Sequence, residues 1–315
     1  MEKIAKKYLK IYHNPAETND IYTYADWEEY LNQQIEIGTR IEERRKDADI
    51  TIYVALIKNP YLLGLSQAFQ NNDYELLNNA IYHYSKHRLL DLKAGGYDHC
   101  LYFWNVMDSM ACNYKEAVEK CFPEELGLCK NGYPFYVVAG NLLMSLWYKN
   151  QQWMELAYPA GEKFLRQKKG LWEKAIVSYL TALSNKDIEK ATEALGDVCK
   201  YSTRLDRPKI YKCFCTEAHG LYQIARYILS EDDFNRIEMP ANDNFCKGLI
   251  SWQSKHNYPE KGEMIVHYPE KLEVMNHIFD LPLPRCILMG SGGRKTIDTE
   301  RMKKNLIADF AGVDS

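Results

Sequence analysis

The sequence predicts an all-α protein, and three observations on its 315 residues support this. One central stretch has the form of a helix, a tight polar turn and a second helix. Similar helix pairs recur along the chain at the intervals of helical-hairpin repeats. Before about residue 262 there is no persuasive alternation of apolar and polar residues, which is the pattern that predicts strands.

The central stretch runs from residue 172 to 195 and has apolar residues at helical spacing on both sides of its turn. Trp172, Ile176 and Leu180 share one face of the first helix, and the same periodicity resumes at Ile188. The linker has the form Ser-x-x-Asp, so Ser184 is expected to cap the second helix. A linker of about four residues makes the second helix fold back antiparallel on the first.

Further helices are predicted on both sides of this hairpin. Apolar periodicity or apolar runs between turn residues predict helices over 3–12, 24–46, 50–69, 74–92, 97–110, 135–147, 209–229 and 234–252. Pro60 should break the third of these. The mixed charges of residues 40–46 indicate a solvated helix face.

The helix pairs recur with a consistent local pattern. After each polar turn a helix opens with a bulky residue, and a small or apolar residue follows three positions later. These second members are Leu77, Ala117, Ala157 and Ala191, which are 40, 40 and 34 residues apart. Such spacing is typical of helical-hairpin repeats. The full tetratricopeptide consensus is absent, so the sequence predicts a degenerate tetratricopeptide-like stack, with a plain helical bundle as the alternative.

The character of the chain changes near residue 258. Residues 1–258 are predicted to form the helical-hairpin repeat domain. Residues 259–315 contain short apolar runs between prolines, and we expect them to form an extension packed on the last helices. Those runs are expected to be extended segments or a minimal hairpin, and residues 297–315 a final short helix.

Composition narrows the classes of function. Apolar residues make up 46% and charged residues 26% of the chain, which is ordinary for a globular protein. A net charge of −3 argues against a nucleic-acid partner, and no apolar run is long enough to predict a membrane span. Nine cysteines without framework spacing indicate reduced, packed thiols. A cytoplasmic location is therefore expected.

Two groups of residues resemble metal ligands. His83, His87 and Asp91 are four residues apart on a predicted helix and would share one face. Because no HExxH sequence surrounds them, we expect polar surface residues here. Cys213 and Cys215 are one residue closer than structural zinc ligands and lack a second pair. No metal site is predicted.

Two further segments resemble functional sequences only superficially. The loop Gly290–Lys295 lacks the second glycine of a phosphate-binding loop at its required place, so a flexible surface loop is expected. Glu231-Asp-Asp233 is half of an acidic terpene-cyclase sequence, and a helix cap explains it equally well. We predict no catalytic and no cofactor-binding residue, no cofactor and no enzymatic activity.

Tyrosine is the most over-represented residue, with 24 copies. Most of them are expected in the core with their hydroxyl groups reaching water. Tyrosine is also enriched at protein–protein interfaces and their energetic hot spots. Its abundance favours a binding function.

One family resemblance points in the same direction. Residues 171–195 contain Trp-x2-Ala, Tyr-Leu-x-Ala-Leu and Lys-Asp-x3-Ala, and residues 215–225 read Cys-Thr-Glu-Ala-His-Gly-Leu-Tyr-Gln-Ile-Ala. These segments resemble bacterial immunity protein family 49, over roughly residues 110–230. The resemblance implies an all-α protein, encoded beside a polymorphic toxin, that neutralises the cognate toxin by binding it. It assigns no role to any residue.

We therefore expect an immunity protein whose partner is a protein toxin, blocked at its active site or held in an inactive shape. Two alternatives remain: a tetratricopeptide-like adaptor or peptide-binding regulator, and an α-helical enzyme with scattered site residues. The toxin, the binding face and the oligomeric state are not determined by the sequence.

Overall fold

The computed structural model describes residues 3–19, 21–92 and 96–313. Over these residues the chain is all-α, which confirms the predicted fold class. Eight α-helices occupy the first part: α1 Lys3–Tyr12, α2 Pro15–Thr18, α3 Trp27–Arg44, α4 Ile50–Leu56, α5 Tyr61–Asn71, α6 Tyr74–Leu90, α7 Phe103–Ala111 and α8 Glu116–Cys121. The break near Pro60 lies between α4 and α5, as predicted.

Nine more helices follow: α9 Pro134–Trp147, α10 Gln151–Arg166, α11 Leu171–Ser184, α12 Ile188–Ser202, α13 Thr216–Ile228, α14 Glu231–Asn235, α15 Lys247–Lys255, α16 Glu273–Asp280 and α17 Thr299–Val313. Strands β1 Leu288–Met289 and β2 Thr296–Ile297 form one antiparallel pair. The single helix predicted over 209–229 is wrong at its start. A 3₁₀ turn at Lys209–Lys212 precedes α13.

The predicted hairpin is α11 and α12. Trp172 and Leu180 are buried in it, as their spacing predicts. The predicted cap is wrong: Asp187, not Ser184, accepts the backbone N–H of Lys190 at the start of α12. The hydroxyl of Ser184 instead donates to the carbonyl of Leu180 in the preceding turn. The residue directly before a helix is the one placed to cap it.

The helix pairs α5–α6, α9–α10 and α11–α12 share one turn geometry. Each turn contains a residue with left-handed backbone, respectively Asn72, Lys149 and Lys186. The next residue donates its N–H to a carbonyl five positions earlier, which ends the first helix. The side chain of that same residue then caps the second helix. Stopping one helix and starting the next in two residues makes the pairs antiparallel.

The second members of the recurring pattern are all buried: Leu77, Ala117, Ala157 and Ala191. A close approach between two helices lies elsewhere, where α13 packs on α7. A β-carbon at Gly220 would lie 1.9 Å from the carbonyl oxygen of Met107. Only glycine therefore allows α7 and α13 to pack at this distance.

The C-terminal extension contacts the first half of the chain. The hydroxyl groups of Tyr268 and Tyr30 are 2.9 Å apart, and Leu272 packs where a β-carbon at Gly38 would clash. Helices α16 and α17 contact α4. The prediction that the extension packs on the last helices is corrected accordingly. The minimal hairpin (β1–β2) and the final helix α17 are present, although residues 314 and 315 lie outside the described residues.

None of the helices in the described residues has both the length and the apolar content needed to cross a bilayer.

Candidate functional site

A concave groove surrounds Trp104 on α7. Three adjoining cavities of about 270, 390 and 290 Å³ are all lined by Trp104. Arg88 lines the first and third, and Tyr136 lines the second and third. We call the whole feature the Trp104 groove, the first cavity its polar chamber and the second its aromatic chamber.

The polar chamber is bounded by helices α1, α5, α6 and α7 and by the segment 207–216. Four tyrosines line it: Tyr8, Tyr61, Tyr84 and Tyr211. The rings of Tyr61 and Tyr84 are stacked with centroids 4.3 Å apart. These four residues account for part of the tyrosine excess noted in the sequence.

Two ion pairs lie at the chamber, and Arg88, Asp108 and Arg207 line it. Arg88 Nη1 is 3.3 Å from Asp108 Oδ2, and Arg207 Nη1 is 2.6 Å from Glu217 Oε1. The side chains of Asp108 and Glu217 are only 4% and 0% exposed. Buried carboxylates without partners are strongly destabilising, so both arginines are structurally required.

The packing of α7 against α13 sets the position of these carboxylates. Asp108 follows Met107, whose carbonyl faces Gly220, and Glu217 lies one turn before Gly220 on α13. The close approach of these helices therefore places Asp108 and Glu217 near each other, with Asp108 lining the chamber. The fold orients both carboxylates before any ligand binds.

Burial raises the pKa of Asp108 to about 7, despite the opposing effect of Arg88. Glu217 also raises this pKa, whereas Arg207 and a hydrogen bond from Thr216 lower it. Tyr61 on α5, Tyr84 on α6 and Cys112 beyond the end of α7 also interact electrostatically with Asp108. Asp108 therefore changes protonation near neutral pH.

Arg207 has unused hydrogen-bonding capacity. Its Nη1 bonds Glu217, but its Nε and Nη2 are buried without a hydrogen-bond partner. These two nitrogens are on the same edge of the planar guanidinium group, and each carries a donor proton. Both nitrogens are enclosed by the surrounding protein rather than exposed in the chamber.

The aromatic chamber is built from α9, the start of α11 and the end of α12. Trp172 lies between Trp104 and Phe135, with ring centroids 4.9 and 5.5 Å away. Tyr133 and Leu171 at the rim are 43% and 51% exposed. The Nε1 of Trp172 is buried and has no hydrogen-bond partner. The indole N–H of Trp172 is therefore a second buried donor without an acceptor.

His83 and His87 are not surface residues, which corrects the sequence-based expectation. Both lie buried on α6, with ring centroids 4.8 and 5.8 Å from that of Phe279 on α16. Burial, and then His87, holds the pKa of His83 well below its usual value. Asp91 follows the end of α6. The three residues do not form a metal-binding cluster in the described part of the chain.

The structure also places the other segments singled out in the sequence. Cys213 and Cys215 are buried and form no disulfide, and the same holds for the other seven cysteines, in agreement with packed thiols. Gly290–Lys295 is an exposed connection between β1 and β2. Ser230 caps α14, and Glu231 to Asp233 form the first turn of that helix rather than its cap.

One cluster with metal-ligating atoms was not anticipated. In the described residues, ligand atoms of Asp98, His99 and Cys129 lie within 4.8 Å of one another. The carboxylate of Asp98 already accepts the backbone N–H groups of residues 100, 130 and 131. His99 Nε2 is 3.0 Å from the carbonyl of Gly127. These hydrogen bonds hold the 127–131 loop against residues 98 and 99, just before α7.

The groove residues themselves were missed by sequence reasoning. Arg88, Asp108, Arg207 and Glu217 belong to no spacing pattern, because the fold brings them together from α6, α7, α13 and a loop. One signal was present: Asp108 is the only charged residue in the apolar run Phe103–Ala111. A lone charge on a buried helix predicts a partner elsewhere in the chain.

Comparisons with protein-family models, curated proteins and solved structures give no significant match. The resemblance to immunity protein family 49 therefore stays a prediction.

Proposed function

We propose that this protein binds and neutralises a cognate bacterial toxin in the cytoplasm, without catalysing a reaction and without nucleic-acid or membrane partners. The observation that supports this most strongly is the Trp104 groove. Protein interfaces concentrate their binding energy in tryptophan, tyrosine and arginine side chains placed in well-packed pockets. The groove combines these three residue types in adjoining chambers open to a partner.

The dimensions of the chambers suit protruding side chains of a protein. Their volumes of about 270, 390 and 290 Å³ lie near the lower end of small-molecule pockets. Because the chambers share Trp104, one continuous segment of a partner can fill them together. The toxin segment held in this way would be unavailable for its substrate, or fixed in an inactive shape.

The residues that resemble the immunity family also border the groove. Leu171, Trp172 and Glu173 line the aromatic chamber, and the rim residue Tyr133 hydrogen-bonds Glu173 at 3.1 Å. Thr216 of the second resembling segment lines the polar chamber. The resemblance and the groove thus concern the same part of the molecule.

A titration against the toxin encoded beside the gene tests this proposal. Toxin activity is measured at fixed toxin concentration while the protein is increased. Since a blocking inhibitor must stay bound, we expect an end point near equimolar and a complex that survives gel filtration. Protection at a hundredth of that dose without a complex would refute the proposal.

A matched pair of surface variants locates the binding face. Leu171→Asp places a charge at the rim of the aromatic chamber and should weaken toxin binding roughly tenfold or more. Leu156→Asp is the control, because Leu156 is 67% exposed on α10 and lines none of the three chambers. Equal effects of the two variants would place the binding face elsewhere.

An α-helical enzyme is the second candidate, and Asp108 is the observation that favours it. A buried carboxyl group in a cavity, with a pKa of about 7, has the properties of a general acid or base. Catalytic protection would operate far below one copy per toxin and would be lost in Asp108→Asn. The same titration therefore separates the two functions.

A further inference from the structure

We infer that the C-terminal extension contains an acid-sensitive cover: residues 268–280, which include α16, separate from α6 when His83 is protonated. We call these residues the α16 cover. His83 lines none of the three chambers of the Trp104 groove. The cover is therefore a conformational device apart from the groove, and it does not depend on the proposed function.

His83 is 0% exposed on α6, and neither of its ring nitrogens has a hydrogen-bond partner. A neutral imidazole carries one N–H group, whereas a protonated imidazole carries two N–H groups and a full positive charge. Burying a charge that has neither a counter-charge nor hydrogen bonds costs far more free energy than burying the neutral ring. The closed structure therefore accepts His83 only in its neutral form.

The charged groups of the surrounding elements do not compensate for a charge on His83. Helices α4 and α5, which pack on α6, contain no acidic or basic residue, and α15 contributes lysines only. The carboxylate of Asp108 on α7 pairs with Arg88, and the two acidic residues of α16, Glu273 and Asp280, are exposed. Burial, and then His87, lowers the pKa of His83, and no acidic group opposes this effect. The other charged or titratable groups on or near α6 and α16 are Lys86, Asp91, Glu116, Lys261 and His277.

The α16 cover meets His83 through the ring of Phe279. The centroid of this ring is 4.8 Å from that of His83 and 5.8 Å from that of His87, one turn further along α6. Phe279 also stacks on Tyr268, with centroids 6.2 Å apart. The side chain of Asn276 accepts the backbone N–H of Tyr268 and donates to its carbonyl. Residues 268–280 are therefore held together as one unit.

This unit is anchored on both sides but not at its centre. Before it, the N–H of Glu263 donates to Oδ1 of Asn79, and after it, the N–H of Cys286 donates to the carbonyl of Lys120. Among the residues that the structure describes, no backbone hydrogen bond joins residues 268–280 to another segment. The cover can therefore open locally while both anchors and the helical body stay in place.

Protonation should favour the open state. Opening exposes His83 to water, where the pKa of an imidazole is about 6.5. Because the closed state excludes this proton, its stability is fully present above about pH 6.5 and is lost as the pH falls below that value. One histidine then raises the opening equilibrium about tenfold for each pH unit.

Hydrogen–deuterium exchange of the full-length protein, measured by mass spectrometry between pH 7.5 and 5, tests the cover. After correction for the intrinsic pH dependence of exchange, the opening constant of the α16 amides should rise about tenfold between pH 6 and 5. The amides of α11 and α12 are the internal reference and should keep their protection. An unchanged α16, or an equal loss of protection in α11 and α12, would overturn the inference.

A matched pair of variants assigns the effect to His83. In His83→Phe no group titrates at the apolar site, so exchange of α16 should lose this pH dependence. His267→Phe is the control, because His267 is an exposed imidazole in the same extension, and the dependence should persist there. A dependence retained in His83→Phe contradicts the assignment.

NMR of the unaltered protein provides a measurement that needs no variant, should His83→Phe fail to fold. While α16 remains protected from exchange, the ring resonances of His83 should stay those of a neutral imidazole. A ring that titrates near pH 6.5 under a protected α16 would show that the closed state tolerates the charge, and the inference would be refuted.

Discussion

The α11–α12 hairpin and the α7–α13 pair are both buried helix pairs, but they are stabilised in different ways. The hairpin is filled mainly by apolar side chains, and the buried hydroxyl of Thr181 donates to the carbonyl of Val177 in the same helix. The α7–α13 pair instead buries Asp108 and Glu217, whose partners come from other elements. The turn and the cap of the hairpin depend on residues close in sequence. The α7–α13 pair depends on the whole fold.

The largest expected effect comes from breaking the buried pair of the polar chamber. Glu217→Ala leaves Arg207, which is 16% exposed, without its counter-charge. Removing one partner of a buried pair costs about 3–5 kcal/mol, measured as the free energy of unfolding in urea. Glu125→Ala at the exposed pair with Arg285 should cost less than about 1 kcal/mol. Similar losses in the two variants would mean that burial does not set the difference.

Truncating a core side chain of the hairpin should lower the free energy of unfolding through lost apolar packing alone. Leu180→Ala removes a fully buried side chain and leaves a cavity, so it should destabilise by about 2–5 kcal/mol. Chemical denaturation at low and high salt should give the same loss, since no charge is involved. A neutral result would show that this side chain does not belong to the core.

Asp108 should make the stability of the α7–α13 region depend on pH. Its pKa rises from 3.8 to about 7 on folding, so between these values only the folded state holds the proton. Stability should therefore fall as the pH rises from about 4 to 7, by at most about 1.4 kcal/mol per pH unit. Above pH 7 this contribution is constant. Urea denaturation of the protein and of Asp108→Asn isolates it, because the variant lacks the slope.

The smallest expected effect is that of a metal chelator. The oxygens of Asp98 already accept three backbone N–H groups, which leaves the cluster with His99 and Cys129 poorly suited to a cation. We expect an unchanged melting temperature in EDTA and no stoichiometric zinc in the purified protein. A fall of many degrees would assign a structural metal to this cluster.

The sequence-based predictions were accurate for features set by nearby residues and wrong for features set by distant ones. Helix positions and the burial of Trp172 and Leu180 depend on local periodicity, which a single sequence displays. His83 and His87 were placed wrongly because α6 is covered on that side by Phe279, from a segment far along the chain. Periodicity on one helix cannot show which distant element covers it.

The candidate site could not be predicted for the same reason. The site consists of two ion pairs, Arg88 with Asp108 and Arg207 with Glu217. These pairs form only after α6, α7 and α13 have packed. The N-cap of α12, for which Ser184 was predicted and Asp187 is observed, shows that sequence patterns can also fail for neighbouring residues. Both fit a capping sequence, and a shift of three residues in the helix start decides between them.

The hydrogen bond between Tyr30 and Tyr268 has a consequence for biosynthesis. The two residues are 238 positions apart, so the cover of α3 is translated long after α3 itself. At about 5–20 residues per second, roughly 10–50 s separate the synthesis of the two tyrosines. During that interval the apolar face around Tyr30 lacks its partner on the ribosome. The N-terminal helices must therefore remain without this cover until the end of translation.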